Sequence, residues 1–167
     1  DFSNGMEGYQ NVRIPTLREV YGLLKNTSLT INVEVKCDVV IYYGIWEHLI
    51  ALEREMGMQG RILYSSFNHY VLLKIRELDP EAKIGLLYSE AMVDPWVYAK
   101  YVGANALHPH YLAALNCPGM LEGCRKAGID VHPWTANDPQ VMRELVEAGV
   151  AAIITNYPNL ALQAAGR

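Results

Sequence analysis

The chain has 167 residues, 51% hydrophobic and 19% charged, which suffices for one ordinary core and not for two, and gives no compositional ground for disorder. Its formal net charge of -4, with basic and acidic residues interspersed, lacks the electrostatic footprint of a nucleic-acid binder. The three cysteines, Cys37, Cys117 and Cys124, form no CxxC pair and are odd in number, which argues against a disulfide framework and for a reducing, cytoplasmic setting.

The opening stretch DFSNGMEG has neither a basic start nor an apolar h-region, and the apolar runs that follow are short, so the expectation is no signal peptide and no membrane span. IPTLREVYGLLKN (14–26) then reads as a helix, with Pro15 near its start and Leu17, Val20, Tyr21, Leu23 and Leu24 at helical spacing. It leads into the strand LTINVEVK, where Ile31, Val33 and Val35 alternate with Asn32, Glu34 and Lys36. YGIWEHLIALEREMG (43–57) is the next amphipathic helix, with Gly57 as its stop, and GRILYSSF (60–67) the next strand. The alternation continues with a helix at 68–80 ended by Pro80, the strand KIGLLY (83–88), a short Asp-Pro helix at 94–103 and the strand ANALHP (104–109). CPGMLEGCRKAG, IDVHPWTAN, DPQVMRELVEAG and VAAIITNYP complete the series as helix, strand, helix and strand. Of the six strand candidates, KIGLLY or ANALHP is expected to be short or peripheral.

Strict alternation is the pattern of βαβ units and a parallel sheet, and the helix–glycine–strand junctions at Gly128 and Gly149 fit it. A doubly wound sheet would normally carry a Gly-rich phosphate loop, and neither GxGxxG nor GxxxxGK[ST] occurs. The expected fold is therefore α/β: a partial TIM (β/α)8 barrel of roughly the last five βα units, one domain over residues 1–167. Such an open barrel leaves two strand edges and an apolar inner face in water, so a complementary part of the barrel, or self-association, is expected to cover them.

Polar residues gather at or after strand C-terminal ends, where these folds carry their sites. Strand parity points Asn32, Glu34 and Lys36 into the barrel, where Glu34 could meet a metal ion and Lys36 an anionic oxygen. A plain Glu34/Lys36 ion pair, or the solvated face of an antiparallel strand, explains the same pattern. VHPWT puts His132 and Trp134 on one side of the penultimate strand, and LHPHY does the same for His108 and His110; core packing is the simpler reading of each. His48 and His69 fall on helices and are expected at the surface. Cys37 follows Lys36, but a small buried thiol is the plainer reading. There is no GxSxG elbow and no HExxH.

In their order and spacing, IPTLREVYGLLKN, INVEVK, ILYSSF and VHPWTANDPQVMRELVEAGVAAIITNYP resemble the later part of a glycerophosphodiester phosphodiesterase, a metal-dependent TIM-barrel family. The resemblance runs over essentially the whole chain. It implies that Glu34 is a ligand of a divalent cation, Mg or Ca, and that Lys36 lies near the substrate phosphate. It implies that Phe67 and Trp134 wall the alcohol part, and that His108 stands where members often have Asn before Pro, as a substrate-binding residue. The implied reaction is hydrolysis of a glycerophosphodiester to an alcohol and glycerol 3-phosphate, with two histidines as general acid and base. Those histidines belong to HRG and HD motifs, neither of which occurs in this sequence, and two more metal ligands to an E-x-D motif in the first part of the family's barrel, so the isolated chain is expected to be inactive. Two other readings remain: a truncated, non-catalytic barrel acting as a binding or assembly module, and a barrel aldolase using Lys36 as a Schiff-base lysine.

Overall fold

In the computed structural model, which describes residues 5–167, helices and strands alternate in parallel through most of the chain. Residues 1–4, whose composition entered the signal-peptide reading, lie outside the described residues. The sheet has five strands in the order β1 (Ile31–Glu34), β2 (Ile62–Ser66), β3 (Lys83–Tyr88), β4 (Ala106–Pro109) and β5 (Asp130–Val131). Each strand pairs in parallel with its successor, the strand order of a barrel opened along one seam.

The helices start and stop where their caps dictate. Thr16 and Glu19 form a reciprocal capping box ahead of α1 (Leu17–Leu24). Gly57, with φ of 66°, ends α2 (Ile45–Met56), and Gly128, with φ of 67°, ends α6 (Met120–Ala127); both left-handed positions favour glycine. Asn68 caps α3 (His69–Leu78), and Pro95 opens α4 (Pro95–Val102). Asp138 accepts from the backbone N–H groups of Gln140 and Val141 at the start of α7 (Pro139–Glu147). Two short helices were not legible in the sequence: α5 (Tyr111–Asn116), capped unusually by His110, and α8 (Pro158–Ala164).

The main core lies between the sheet and its helices, where Leu72, Ile75, Ile84, Leu86 and Leu107 are buried. A smaller cluster joins Leu145 to Ala114 and Ala136. The helix side also buries a charge-bearing group: Glu53 of α2 is 4% exposed, and its Oε2 accepts a hydrogen bond from the Tyr64 hydroxyl at 2.7 Å. Burial pushes the Glu53 carboxyl up, opposed by that hydrogen bond, and pushes the neighbouring Tyr21 phenol up to about 12.

Arg61 holds β1 in place from outside the core. Its backbone carbonyl accepts from Ile31 N at 2.8 Å, opening the β1–β2 ladder. Its guanidinium donates to the carbonyls of Leu24, Lys25 and Leu29 and to the Thr27 hydroxyl, so the whole α1–β1 connection is tied to the start of β2.

Three expectations need correction. KIGLLY is neither short nor peripheral: β3 is the longest strand and the middle one. VAAIITNYP does not form a regular strand, although Ala151 N donates to Val131 O and Ile154 N to Pro133 O. Those donors are three residues apart and their acceptors two, so an extra residue breaks the ladder as a bulge does. The inner face is not broadly apolar either. Its middle row, running across the register, is Glu34, Ser65, Gly85, Ala106 and Asp130, which is small or polar throughout.

Candidate active site at the strand C-terminal ends

Strand parity divides the β1 segment between two faces as the sequence reading expects. Val35 and Cys37 are buried on the helix side, whereas Asn32, Glu34 and Lys36 are exposed on the inner face. The Lys36 ammonium stands 3.8 Å from Glu34 Oε1, with side chains 78% and 36% exposed respectively. At that separation and exposure the pair is a loose ion contact in solvent, so both groups stay available to a ligand. Ser65, beside Glu34 in the ladder, has a buried hydroxyl with no hydrogen-bond partner among the described residues.

Phe67, Trp134 and His110 make an aromatic rim further along the strands. The Phe67 and Trp134 rings meet edge to face with centroids 5.3 Å apart, and His110 meets Trp134 in the same way at 5.2 Å. Trp134 is fixed by its indole N–H, which donates to the His108 carbonyl at 2.7 Å, and by a bridge that pairs it with His110. Phe67 remains 38% exposed, an apolar surface presented at the mouth.

His108 is placed differently from a direct ligand contact. It is fully buried on the inner face of β4, with its Nε2 3.0 Å from Nδ1 of His132 on the adjacent segment. Its pKa is pushed down to about 3, first by burial and then by the neighbouring His132, so it is a neutral imidazole. His132 is half-buried, and its pKa is lowered by burial against the opposing pull of Asp130. Gly85 of β3 makes this packing feasible: a Cβ there would lie 2.5 Å from His108 Nε2. A glycine inside a strand costs about 0.5–1 kcal/mol relative to alanine, and here the space it leaves is filled by the imidazole. The His108/His132 pair was not legible in the sequence, because it depends on the register between two strands.

His69 is not the surface residue its helical position suggested. It is half-buried, with Nδ1 3.0 Å from the Tyr98 hydroxyl and Nε2 2.9 Å from the Leu87 carbonyl, which ties α3 and α4 to the end of β3. His48 is exposed on α2. The WTAN and TNYP segments prove to be one structural tie: Asn137 Oδ1 accepts from the Thr155 hydroxyl at 3.1 Å and from Asn156 N at 2.9 Å.

The donor set does not fit a hard divalent cation on its own. Mg²⁺ or Ca²⁺ takes six or more oxygens, and no cluster of three His, Cys, Asp or Glu residues with metal-binding geometry occurs among the described residues. Glu34 can supply one carboxylate. Nor does Lys36, open to water, have the apolar enclosure of a Schiff-base lysine. No helix among the described residues is long and apolar enough to cross a membrane.

A family model described as the glycerophosphoryl diester phosphodiesterase family matches residues 3–160. A glycerophosphodiester phosphodiesterase of Caldanaerobacter subterraneus subsp. tengcongensis is 40% identical over 152 residues, covering 91% of this chain and 62% of that protein. Another, from Bacillus altitudinis, is 28% identical and covers 91% of this chain and 62% of its own length. The chain thus spans about three fifths of the length of the curated relatives it matches. Among solved structures, a putative glycerophosphoryl diester phosphodiesterase from Silicibacter pomeroyi superposes with a TM-score of 0.83 at 20% identity, over 92% of this chain and 56% of that one. An Oleispira antarctica phosphodiesterase in complex with the product sn-glycerol-3-phosphate gives a TM-score of 0.74 at 25% identity, over 92% of this chain and 62% of that one.

Proposed function

Since the chain belongs to the glycerophosphoryl diester phosphodiesterase family, we propose that the protein carrying it hydrolyses a glycerophosphodiester to an alcohol and glycerol 3-phosphate with the aid of a divalent cation. The observation that carries this reading is the joint placement of Glu34, Lys36, Phe67 and Trp134 on the inner face at the strand C-terminal ends. Lys36 attracts the phosphate, and the Phe67/Trp134 corner offers the alcohol part an apolar wall. Glu34 would supply one carboxylate oxygen to such a cation, whose chemistry would be to polarise a phosphoryl oxygen. No cluster among the described residues completes that cation's ligand shell.

None of the five histidines lies in an HRG or HD motif, and His108, buried and neutral, is not placed to exchange protons with a substrate. The 167-residue chain alone, read as one partial-barrel domain, is accordingly inactive. Its three free cysteines fit a cytoplasmic setting, where thiols stay reduced. The outer edge of β1, which pairs with no strand among the described residues, supports completion of the barrel by a further segment or by a second copy.

The test has two parts. Purified chain incubated with glycerophosphocholine and Mg²⁺ or Ca²⁺ should release no choline above background; metal-dependent release refutes the inactivity. Titration with sn-glycerol 3-phosphate should show weak binding that Lys36→Met lowers about tenfold, the loss of one charge-assisted contact. If binding is unaltered in that variant, Lys36 has no phosphate role. A purely binding or assembly function is the outcome if ligand binds and the completed barrel still shows no hydrolysis.

A further inference from the structure

The contact between His108 and His132 fixes where their protons are. Only one of the two facing nitrogens, 3.0 Å apart, can carry the shared proton. His108 Nδ1 is buried and has no hydrogen-bond partner among the described residues. If His132 were the donor, neutral His108 would bear its own proton on Nδ1, leaving a buried N–H unsatisfied. If His108 donates from Nε2, only a lone pair is left unmatched, the less costly defect. His108 is therefore the Nε2–H tautomer. His132, accepting at Nδ1, must carry its proton on Nε2.

That Nε2–H makes no hydrogen bond to any described residue and is not enclosed, on a half-buried ring of the inner face two residues before Trp134. Gly85 is an independent sign that the arrangement is built. It lies within β3 without a positive φ that would demand glycine, and a Cβ there would strike His108 at Nε2, Cε1 and Cδ2, at 2.5, 2.9 and 3.0 Å.

We propose that His132 is a further substrate-contacting residue, its Nε2–H donating to an oxygen of the glycerophosphate group, with His108 and Gly85 as positioning residues that hold it in that tautomer. The contact rests on the phosphodiesterase reading; the tautomer does not. One neutral hydrogen bond at this position corresponds to about a fivefold to tenfold change in affinity.

The experiment is long-range ¹H–¹⁵N spectroscopy of the histidine-labelled chain, which reads tautomers directly, followed by titration with sn-glycerol 3-phosphate. His132 should show a protonated Nε2 that shifts on ligand addition. His132→Ala should weaken binding about fivefold to tenfold, His132→Gln should restore part of it through its amide N–H, and Gly85→Ala should disturb the His132 tautomer and weaken binding without touching ligand. A His132 protonated on Nδ1 overturns the inference whatever binds. Binding with a motionless His132 signal and full affinity in His132→Ala overturns it while leaving the phosphodiesterase reading intact. No binding to the unaltered chain overturns both.

Discussion

Replacing the buried Glu53 by Gln should stabilise the protein at neutral and alkaline pH, whereas Tyr64→Phe should destabilise it. Glu53 is 4% exposed, and its Oε2 accepts a 2.7 Å hydrogen bond from Tyr64. Burial raises its pKa above the unfolded value of about 4.3, with a smaller upward push from Asp79 opposed by Arg54. A raised folded-state pKa means that the group's contribution is fully present below about pH 4.3 and is lost as the pH climbs through the folded value. Glutamine cannot ionise, so it escapes that loss. Its oxygen still accepts from Tyr64, and its nitrogen replaces Oε1, which is not enclosed. The gain should be present at pH 8 as a higher melting temperature and should vanish near pH 4. Tyr64→Phe removes the donor and leaves the carboxylate oxygen buried without one, at a cost of about 1.5–3 kcal/mol, or roughly 3–12 °C. Thermal unfolding followed by circular dichroism at pH 4.5 and pH 8 reads both. A glutamine variant that loses as much as the phenylalanine variant at pH 8, or gains equally at both pH values, would refute the argument.

Two further outcomes concern the site. Asn137→Ala removes the acceptor shared by the Thr155 hydroxyl and Asn156 N, so it should cost about 1–2 kcal/mol and lower the melting temperature with the helical signal unchanged; an unaltered melt would show that the tie carries no stability. Ca²⁺ or Mg²⁺ should bind the chain only at about millimolar levels by calorimetry, since Glu34 is one ligand among the six or more such a cation takes, and Glu34→Gln should abolish what remains. Micromolar binding would contradict the incomplete donor set.

How legible the fold was depended on whether a signal was local. Helical spacing and glycine stops at Gly57 and Gly128 gave α2 and α6 to within a few residues, because caps and periodicity act within one turn or two. The last expected strand was misjudged, because apolar VAAIIT reads as a buried strand while its bulged pairing depends on Pro133 across the gap. Strand parity placed Glu34 and Lys36 on the inner face, since the period of two admits only two answers. The His108/His132 contact and the burial of Glu53 had no local signature. EREMG looks like an ordinary solvent-facing turn, and only the tyrosine on β2 reveals where that glutamate goes.

Arg61 lies at the N-terminal end of β2, opposite the strand ends that carry the candidate site, yet β1 keeps its alignment through it. A slip of one position between β1 and β2 would turn Glu34 and Lys36 to the helix side and Val33 and Val35 to the inside. In a screen of random variants scored for loss of function, changes at Arg61 would therefore group with changes at Glu34 and Lys36. A map drawn from such a screen would mark two separate patches for one site, the distant one governing which way the near one points.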